Sequence, residues 1–372
     1  MSLTHWKQST LGQKSLEIAA TKNDSHSVVT LLITGGAGFI GSCYARLARR
    51  KRPANKLINV DALTYAGNLE NLRDLEGDDG HLFQRADIRD GKAMRDLMSR
   101  HRVDAVINFA AESHVDRSIL SAEPFVDTNV VGTLRLLEAA RAAGVRRFLQ
   151  VSTDEVYGSL GPSGAFEETT PLSPRSPYSA SKAAADHFVM AFHHTHGLDT
   201  VITRCSNNYG PHQFPEKLIP LMILNAFEGK PLPVYGDGLY VRDWIHVEDH
   251  CEAIDVVLSQ GAAGEVYNIG AGNERPNLDV VHAILESAGR DRSLIRHVPD
   301  RPGHDRRYAI DARKIRQAFG WKPRHSFDTG LAETVAWYRA NGDWASRVRS
   351  GAYRDYYDRQ YGARLAALAP GG

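Results

Sequence analysis

From about Val28 onward, short apolar runs alternate with longer stretches in which apolar residues recur every third or fourth position. The runs "VVTLLITG", "KLINVDA", "VDAVINFAA", "RRFLQVST" and "DTVITRCS" have the length and composition of buried strands. Stretches such as 122–143 have the spacing of an amphipathic helix. Strands alternating with helices predict right-handed βαβ units, and so an α/β fold whose parallel sheet is covered on both faces. The rhythm breaks after Ser206. Pro211, Pro215, Pro220, Pro231 and Pro233 punctuate the next stretch of chain, with Gly236 and Gly238 close behind, and a smaller loop-rich lobe is expected there. One helical stretch within it, "HVEDHCEAIDVVLSQG", is expected to return and pack on the first domain. The expected division is a tail over 1–27, a first domain over 28–206 with a returning segment near 241–260, and a lobe made mainly of 207–372.

Composition narrows the partners. A net charge of +1 gives no electrostatic case for nucleic acid or an anionic membrane surface. No apolar run is long enough to span a bilayer, and residues 1–27 lack the apolar core of a signal peptide. Cys43, Cys205 and Cys251 are isolated and odd in number, which argues against a disulfide framework and makes the cytoplasm the expected location. The "HHTH" at 193–196 ends a helical pattern just before a glycine and has no cysteine or carboxylate beside it. It reads as a solvated helix end, and no metal site is expected.

Candidate chemistry begins where the first strand runs into "TGGAGFIGS". Gly35, Gly38 and Gly41 supply a turn of unusual dihedrals and a close approach of main chain to a pyrophosphate. The helix after this turn offers its N-terminal N–H groups and dipole to the phosphates. Asp61 closes the second strand, roughly 20 residues on, where a carboxylate binds the adenosine ribose and would repel a 2′-phosphate. This is the Rossmann-type doubly wound pattern, and it implies NAD. Asp87, after the third strand, is expected to flank the adenine, with a helix N-cap as the alternative.

A second cluster lies beyond the "RRFLQVST" strand, where Thr153, Asp154 and Glu155 arrive together. "SPYSASKAAADHF" then places Tyr178 and Lys182 four apart on an Ala-rich helix, and hence on one face. An ammonium beside a phenol favours the phenolate, giving a base for an alcohol whose hydride leaves to nicotinamide. Cys205 has nothing near it in sequence to activate it and is expected to be a core residue.

"TGGAGFIG", "NFAAESHVDRS", Tyr178 and Lys182 together resemble the extended short-chain dehydrogenase/reductase family, over nearly the whole chain after the tail. The resemblance implies Thr153 as the third catalytic member. In the 4-epimerases of that superfamily the positions after this hydroxyl are small or neutral. The Thr-Asp-Glu triplet here resembles the nucleotide-sugar 4,6-dehydratase branch instead, as do "LTYAGNLENL", "RCSNNYGPHQFPEKLIPLMI", "PVYGDGLYVRDWIHVEDH" and "DRPGHDRRYAID". For that branch Glu155 is implied as the base at C5 of the sugar, and Asp154 as the acid for the departing C6 hydroxyl.

The resemblance also implies cofactor contacts at Gly35, Gly38, Phe39, Ile40, Gly41, Asp61, Ala62, Leu63, Thr64, Asp87, Ile88, Ala110, Ala111, Ser113, Thr128, Tyr178, Lys182 and Asn208. Ala62 stands where the family commonly has a lysine. Substrate contacts are implied at His114, Thr153, Asp154, Glu155, Asn207, Glu216, Lys217, Leu218, Pro233, Tyr235, Arg242, Asn277, Arg301, His304 and Tyr353, in a C-terminal substrate-binding lobe. The implied substrate is dTDP-glucose, and the implied assembly a homodimer through 122–143 and 179–196. A dehydratase for another nucleotide-glucose, a 4-epimerase, and a cofactor-sensing protein without catalysis are the alternatives. The last would be expected to lose the Tyr/Lys pair, which is present here.

Overall fold

The structure, a computed structural model, describes residues 28–349. The chain begins with β1 (Thr30–Thr34), α1 (Phe39–Lys51), β2 (Lys56–Asp61), β3 (His81–Arg85), α2 (Gly91–His101) and β4 (Ala105–Asn108). Next come α3 (Val115–Leu120), α4 (Glu123–Phe125), α5 (Thr133–Ala143), β5 (Arg147–Thr153), α6 (Pro177–His196) and β6 (Thr200–Cys205). The second half runs through β7 (Asn207–Tyr209), α7 (Leu218–Glu228), β8 (Leu232–Tyr235), β9 (Val241–His246), α8 (Val247–Gln260) and β10 (Val266–Ile269). It closes with β11 (Glu274–Pro276), α9 (Asn277–Ala288), β12 (Ile295–Val298), α10 (Arg313–Phe319), α11 (Phe327–Ala340) and α12 (Gly342–Val348).

Seven strands form one sheet in the order β10-β6-β5-β4-β1-β2-β3, all pairs parallel. This is the Rossmann-type α/β fold the alternation of runs predicts. Its central strands are buried on both faces, which is why they read as continuous apolar runs rather than alternating ones. One face packs Leu31, Ile33, Leu149 and Val201 against Tyr44 and Leu47 of α1 and Ile254 and Val257 of α8. The other packs Leu32, Val106, Phe148 and Ile202 against Met94, Leu137 and Val189 of α2, α5 and α6. The chain order reverses between β1 and β4, the place where such sheets bind ligands at the carboxyl ends of their strands.

The stretch "HVEDHCEAIDVVLSQG" is α8, and it lies against α1 as its pattern suggests. The edge strand β10, "VYNI", has no counterpart in the sequence pattern, where the strand–helix rhythm ends at Ser206. Four residues are too few to show a period, and proline- and glycine-rich turns surround them. The stretch 122–143 is helical from Glu123 onward, but its middle, Val126–Gly132, is wound as a π-helix. A third apolar cluster joins α7, α9 and α11 to β8 and β9 and forms the core of the smaller lobe. Small sheets β11-β9-β7 and β12-β8 bring that lobe over the carboxyl ends of the large sheet.

Candidate active site

At the β1–α1 turn, Gly35 adopts φ 65°, and a Cβ on it would lie 2.7 Å from the Ala110 main-chain N. A Cβ at Gly41 would lie 2.3 Å from the Gly35 carbonyl O. Both positions require glycine. Gly38 is the N-cap of α1 and provides no side-chain cap, so the first N–H groups of this helix stay available to an anion. The buried Asp61 carboxylate accepts the Ala37 N–H at 3.0 Å and the Leu63 N–H at 2.8 Å, which fixes it beside the turn. A carboxylate has about four lone-pair sites, so acceptors remain for a ribose diol. An uncapped helix start, a glycine cradle and an anchored acid fit a dinucleotide.

Asp87 does not cap α2; Asp90 does, and Asp87 pairs with Arg89. Ile88 is buried, while Thr64 is exposed. Ala110, Ala111 and Ser113 follow β4 on the far side of the turn. Thr128 lies in the π-helical stretch, and its neighbour Asn129 clasps the Glu112 main chain and donates to the Ser181 hydroxyl at 2.8 Å. The Asn208 amide is engaged at both ends: Oδ1 meets His250 Nδ1 at 2.8 Å, and Nδ2 donates to the Ser206 carbonyl at 3.0 Å.

β5 delivers Thr153 to the carboxyl edge of the sheet, and a short 3-10 turn begins at once. The Thr153 hydroxyl accepts the Glu155 N–H at 3.3 Å and donates to Asp154 Oδ1 at 3.3 Å. The two acids differ sharply in surroundings. Asp154 is buried, and Oδ2 has no hydrogen-bond partner. Burial, then the Glu155 and Asp243 carboxylates, hold its carboxyl well above the usual range. Glu155 is also raised by burial, but Arg301, Arg242 and Lys217 all favour its charged form. Like-charge repulsion and a cationic ring on one side push the pair's proton affinities apart.

α6 starts where it does because Ser176 and Ser179 form a reciprocal capping box and Pro177 takes the first helical position. That sets Tyr178 in the first turn, under Thr153, with Phe125 edge-on to its ring at 6.3 Å. Lys182 is one turn further along. Its ammonium donates to the Val151 carbonyl at 2.7 Å rather than to the phenol. Burial, followed by the Glu155 charge, pushes the phenol up, opposite to the pull expected of the lysine. Desolvation in the closed protein interior outweighs an ammonium committed to the main chain. The Cys205 thiol, buried alongside, is pushed up to about 12 and is inert.

The remaining substrate candidates converge from distant parts of the chain. Arg242 of β9 donates to the Asp305 carbonyl at 2.8 Å and lies over the Tyr308 ring at 4.2 Å. Lys217 stands at the start of α7 ahead of Leu218, and its ammonium donates to the Ser113 carbonyl at 2.6 Å. Asp116, which no sequence pattern singles out, gathers two of the candidates: it accepts from Tyr235 at 2.9 Å and pairs with Arg301. His304 stacks on Tyr240 at 3.7 Å and meets Asp300 at 2.7 Å. Burial lowers the pKa of His304 to about 4, and it further holds His114, beside Lys217, neutral. Glu216 is committed to Arg117 at 3.0 Å. Pro233 is buried within β8. Asn207 Oδ1, Asn277 Oδ1 and Arg301 Nε are buried without partners. Tyr353 lies outside the described residues.

Asn129, Asp116, Arg117, Asp243 and His250 are not singled out by the sequence as site residues, because no local spacing marks them even where, as for all but Asn129, they lie in segments that carry the resemblance. Their roles come from contacts spanning many residues, as in the pairing of Asp116 with Arg301.

The arrangement is that of an oxidising enzyme on a dinucleotide fold, with an acid and a base added beside its Tyr/Lys couple. The model of the GDP-mannose 4,6-dehydratase family matches residues 32–334. The chain belongs to that family. It is 54% identical over 345 residues to the dTDP-glucose 4,6-dehydratase of Xanthomonas campestris pv. campestris strain B100, covering 88% of this chain and 98% of that one. It is 50% identical over 359 residues to dTDP-glucose 4,6-dehydratase 1 of Escherichia coli K12, covering 90% and 99%. The structure resembles the dTDP-glucose 4,6-dehydratase DesIV of Streptomyces venezuelae, solved with NAD bound, at a TM-score of 0.84 and 51% identity, covering 86% and 100%. It resembles the UDP-glucose 4-epimerase of Thermus thermophilus less closely, at 0.79 and 32%, covering 84% of this chain and 100% of that one.

Proposed function

We propose that this chain is a dTDP-glucose 4,6-dehydratase, a hydro-lyase that converts dTDP-glucose into dTDP-4-keto-6-deoxyglucose and water in deoxysugar biosynthesis. NAD, held by the glycine turn and Asp61, would supply the acceptor for the C4 hydride and its return at C6. Tyr178 accepts the proton of the C4 hydroxyl, and Thr153 hydrogen-bonds at the same place. The ketone at C4 acidifies the C5 proton; Glu155 removes it and gives a proton back to C5 when hydride is delivered to C6, while the proton gained by Tyr178 balances, through solvent, the one Asp154 gives up. Asp154 keeps a proton at neutral pH and passes it to the C6 hydroxyl, which leaves as water. Arg242 and Arg301 face the diphosphate with Asn277 and His304, while Asn207, Lys217 and Leu218 border the sugar. Gly35, Gly38, Gly41 and Asp61 hold the dinucleotide.

The observation that carries this reading is the asymmetry of the carboxylates. Asp154 has an unpartnered buried oxygen and two acids adding to the rise that burial imposes, while three cations oppose the rise at Glu155. An epimerase needs neither group. The exposed Ile119, Leu120, Val126, Val131 and Phe188 on α3, the stretch 122–143 and α6 support a homodimer through that face. Among the described residues no helix is long and apolar enough to cross a membrane, and all three cysteines are free, which supports the cytoplasm as location.

Turnover with NAD and dTDP-glucose, UDP-glucose or GDP-mannose tests the reading. Keto-deoxysugar should form from dTDP-glucose with no lasting change in nicotinamide absorbance. Reduced cofactor accumulating in step with product would mean a net dehydrogenase, and a galactose nucleotide as product would mean an epimerase.

A further inference from the structure

On α6 the catalytic face does not stop at Lys182. Tyr178, Lys182 and Asp186 fall at i, i+4 and i+8, all three buried, and neighbours four apart on a helix have Cβ atoms only about 5–6 Å from each other. Asp186 Oδ2 accepts from Arg204 Nε of β6 at 2.9 Å, and Oδ1 has no hydrogen-bond partner. Arg204 turns its other arm away, donating Nη1 to the Tyr157 hydroxyl at 3.0 Å; that hydroxyl in turn donates to Asn268 Oδ1 at 2.8 Å. The carboxylate is thereby held by its cation from the β6 side. A buried carboxylate with one oxygen unsatisfied is costly, and a fold that keeps it needs a use for its charge.

Lys182 supplies the use. Its ammonium is buried with one neutral acceptor, the Val151 carbonyl. Burial favours loss of the proton, and the Asp186 charge is the largest influence opposing that loss. The other groups on this side of the helix are the Cys205 thiol and Arg204 from β6, Tyr157 from the turn after β5, and Tyr178 on its own helix; burial pushes the thiol and both phenols up, toward their uncharged forms.

We propose that Asp186 is a positioning residue for the oxidation step: from one turn behind Lys182 it keeps the ammonium charged and seated on the Val151 carbonyl. Arg204 and Tyr157 hold Asp186 in that place. The proposal rests on the reading of Tyr178 and Lys182 as the oxidising couple.

The test is the pH dependence of kcat for Asp186→Asn and Asp186→Glu beside the parent enzyme. Asparagine keeps an acceptor for Arg204 but removes the charge, so Lys182 should lose its proton at lower pH. The alkaline limb of kcat should then move down by about one pH unit, a roughly tenfold loss of kcat on that limb. Glutamate should return the limb to within a few tenths of a unit. If Asp186→Asn does not fold, Asp186→Asn/Arg204→Gln removes both charges of the buried pair, and the limb should move in the same direction by a smaller amount, because loss of the guanidinium charge partly offsets loss of the carboxylate. An alkaline limb unmoved in the charge-removing variant, with only a lowered Tm, would overturn the proposal and leave Asp186 a packing residue. A parent enzyme that makes no product would instead refute the underlying reading.

Discussion

Where β1 turns into α1, the surface offered to a ligand is almost entirely main chain. Gly35 bends the chain at φ 65°, Gly38 leaves the helix start uncapped, and Gly41 lets the helix sit on the turn. On the opposite side the surface is side chain: Asp154 and Glu155 from the turn after β5, Lys217 from the start of α7, Arg242 from β9 and Arg301 from the segment after β12. A dinucleotide phosphate presents the same charge and shape wherever it binds, so fixed N–H groups serve it without side chains. Breaking and making bonds at C4, C5 and C6 of one sugar requires several groups of different proton affinity, and only side chains in unlike surroundings provide them. One region is damaged by adding atoms, the other by removing them.

The largest effect belongs to the side-chain region. Tyr178→Phe keeps the ring against Phe125 but deletes the base. Turnover should fall by roughly 10²–10⁴, with nucleotide-sugar affinity near that of the parent enzyme by calorimetry. Retention of full activity would remove Tyr178 from the reaction.

Next comes a single methyl group on the main-chain side. Gly35→Ala places a Cβ 2.7 Å from the Ala110 N in a left-handed conformation, a strain of about 1–3 kcal/mol. NAD affinity should weaken tenfold or more, and thermal unfolding should come earlier. Parent-like NAD binding would show that the turn yields and that main-chain geometry does not define this region.

A smaller, pH-dependent effect is expected from Arg301→Gln. Glu155 must be ionised to act as base, and Arg301 is the largest influence opposing burial at that carboxyl. Without it the carboxyl should hold its proton to higher pH, so the acid limb of kcat should move up by about one unit. An acid limb that stays in place would mean that Glu155 does not set it.

The same division explains how much the chain alone makes legible. The sheet and the glycine turn are written locally: the runs, the spacing from Gly35 to Asp61, and the Tyr178–Lys182 interval all lie within one or two elements. β10 escapes because four residues, taken alone, cannot show a period. On the substrate side, Arg242 and Arg301 are reachable only through resemblance to relatives. Asp116, which pairs with Arg301 across 185 positions, lies in a segment that carries the resemblance, but nothing local points to that pairing. Lys182 shows a further limit. Its four-residue interval from Tyr178 locates the pair on one face, but only the structure shows the ammonium on a carbonyl and the phenol governed by burial.

The central claim is that two adjacent acids do different work because their surroundings differ. The most direct measurement compares Asp154→Asn and Glu155→Gln on dTDP-glucose and on its C6-fluoro analogue, whose fluoride leaves with little help from a proton. Asp154→Asn should be severely slowed on the natural sugar and recover most of the parent rate on the fluoro sugar. Glu155→Gln should stay impaired on both and fail to incorporate solvent deuterium at C5. Equal impairment of the two variants on the fluoro sugar would contradict the account and leave Asp154 and Glu155 an undivided electrostatic pair.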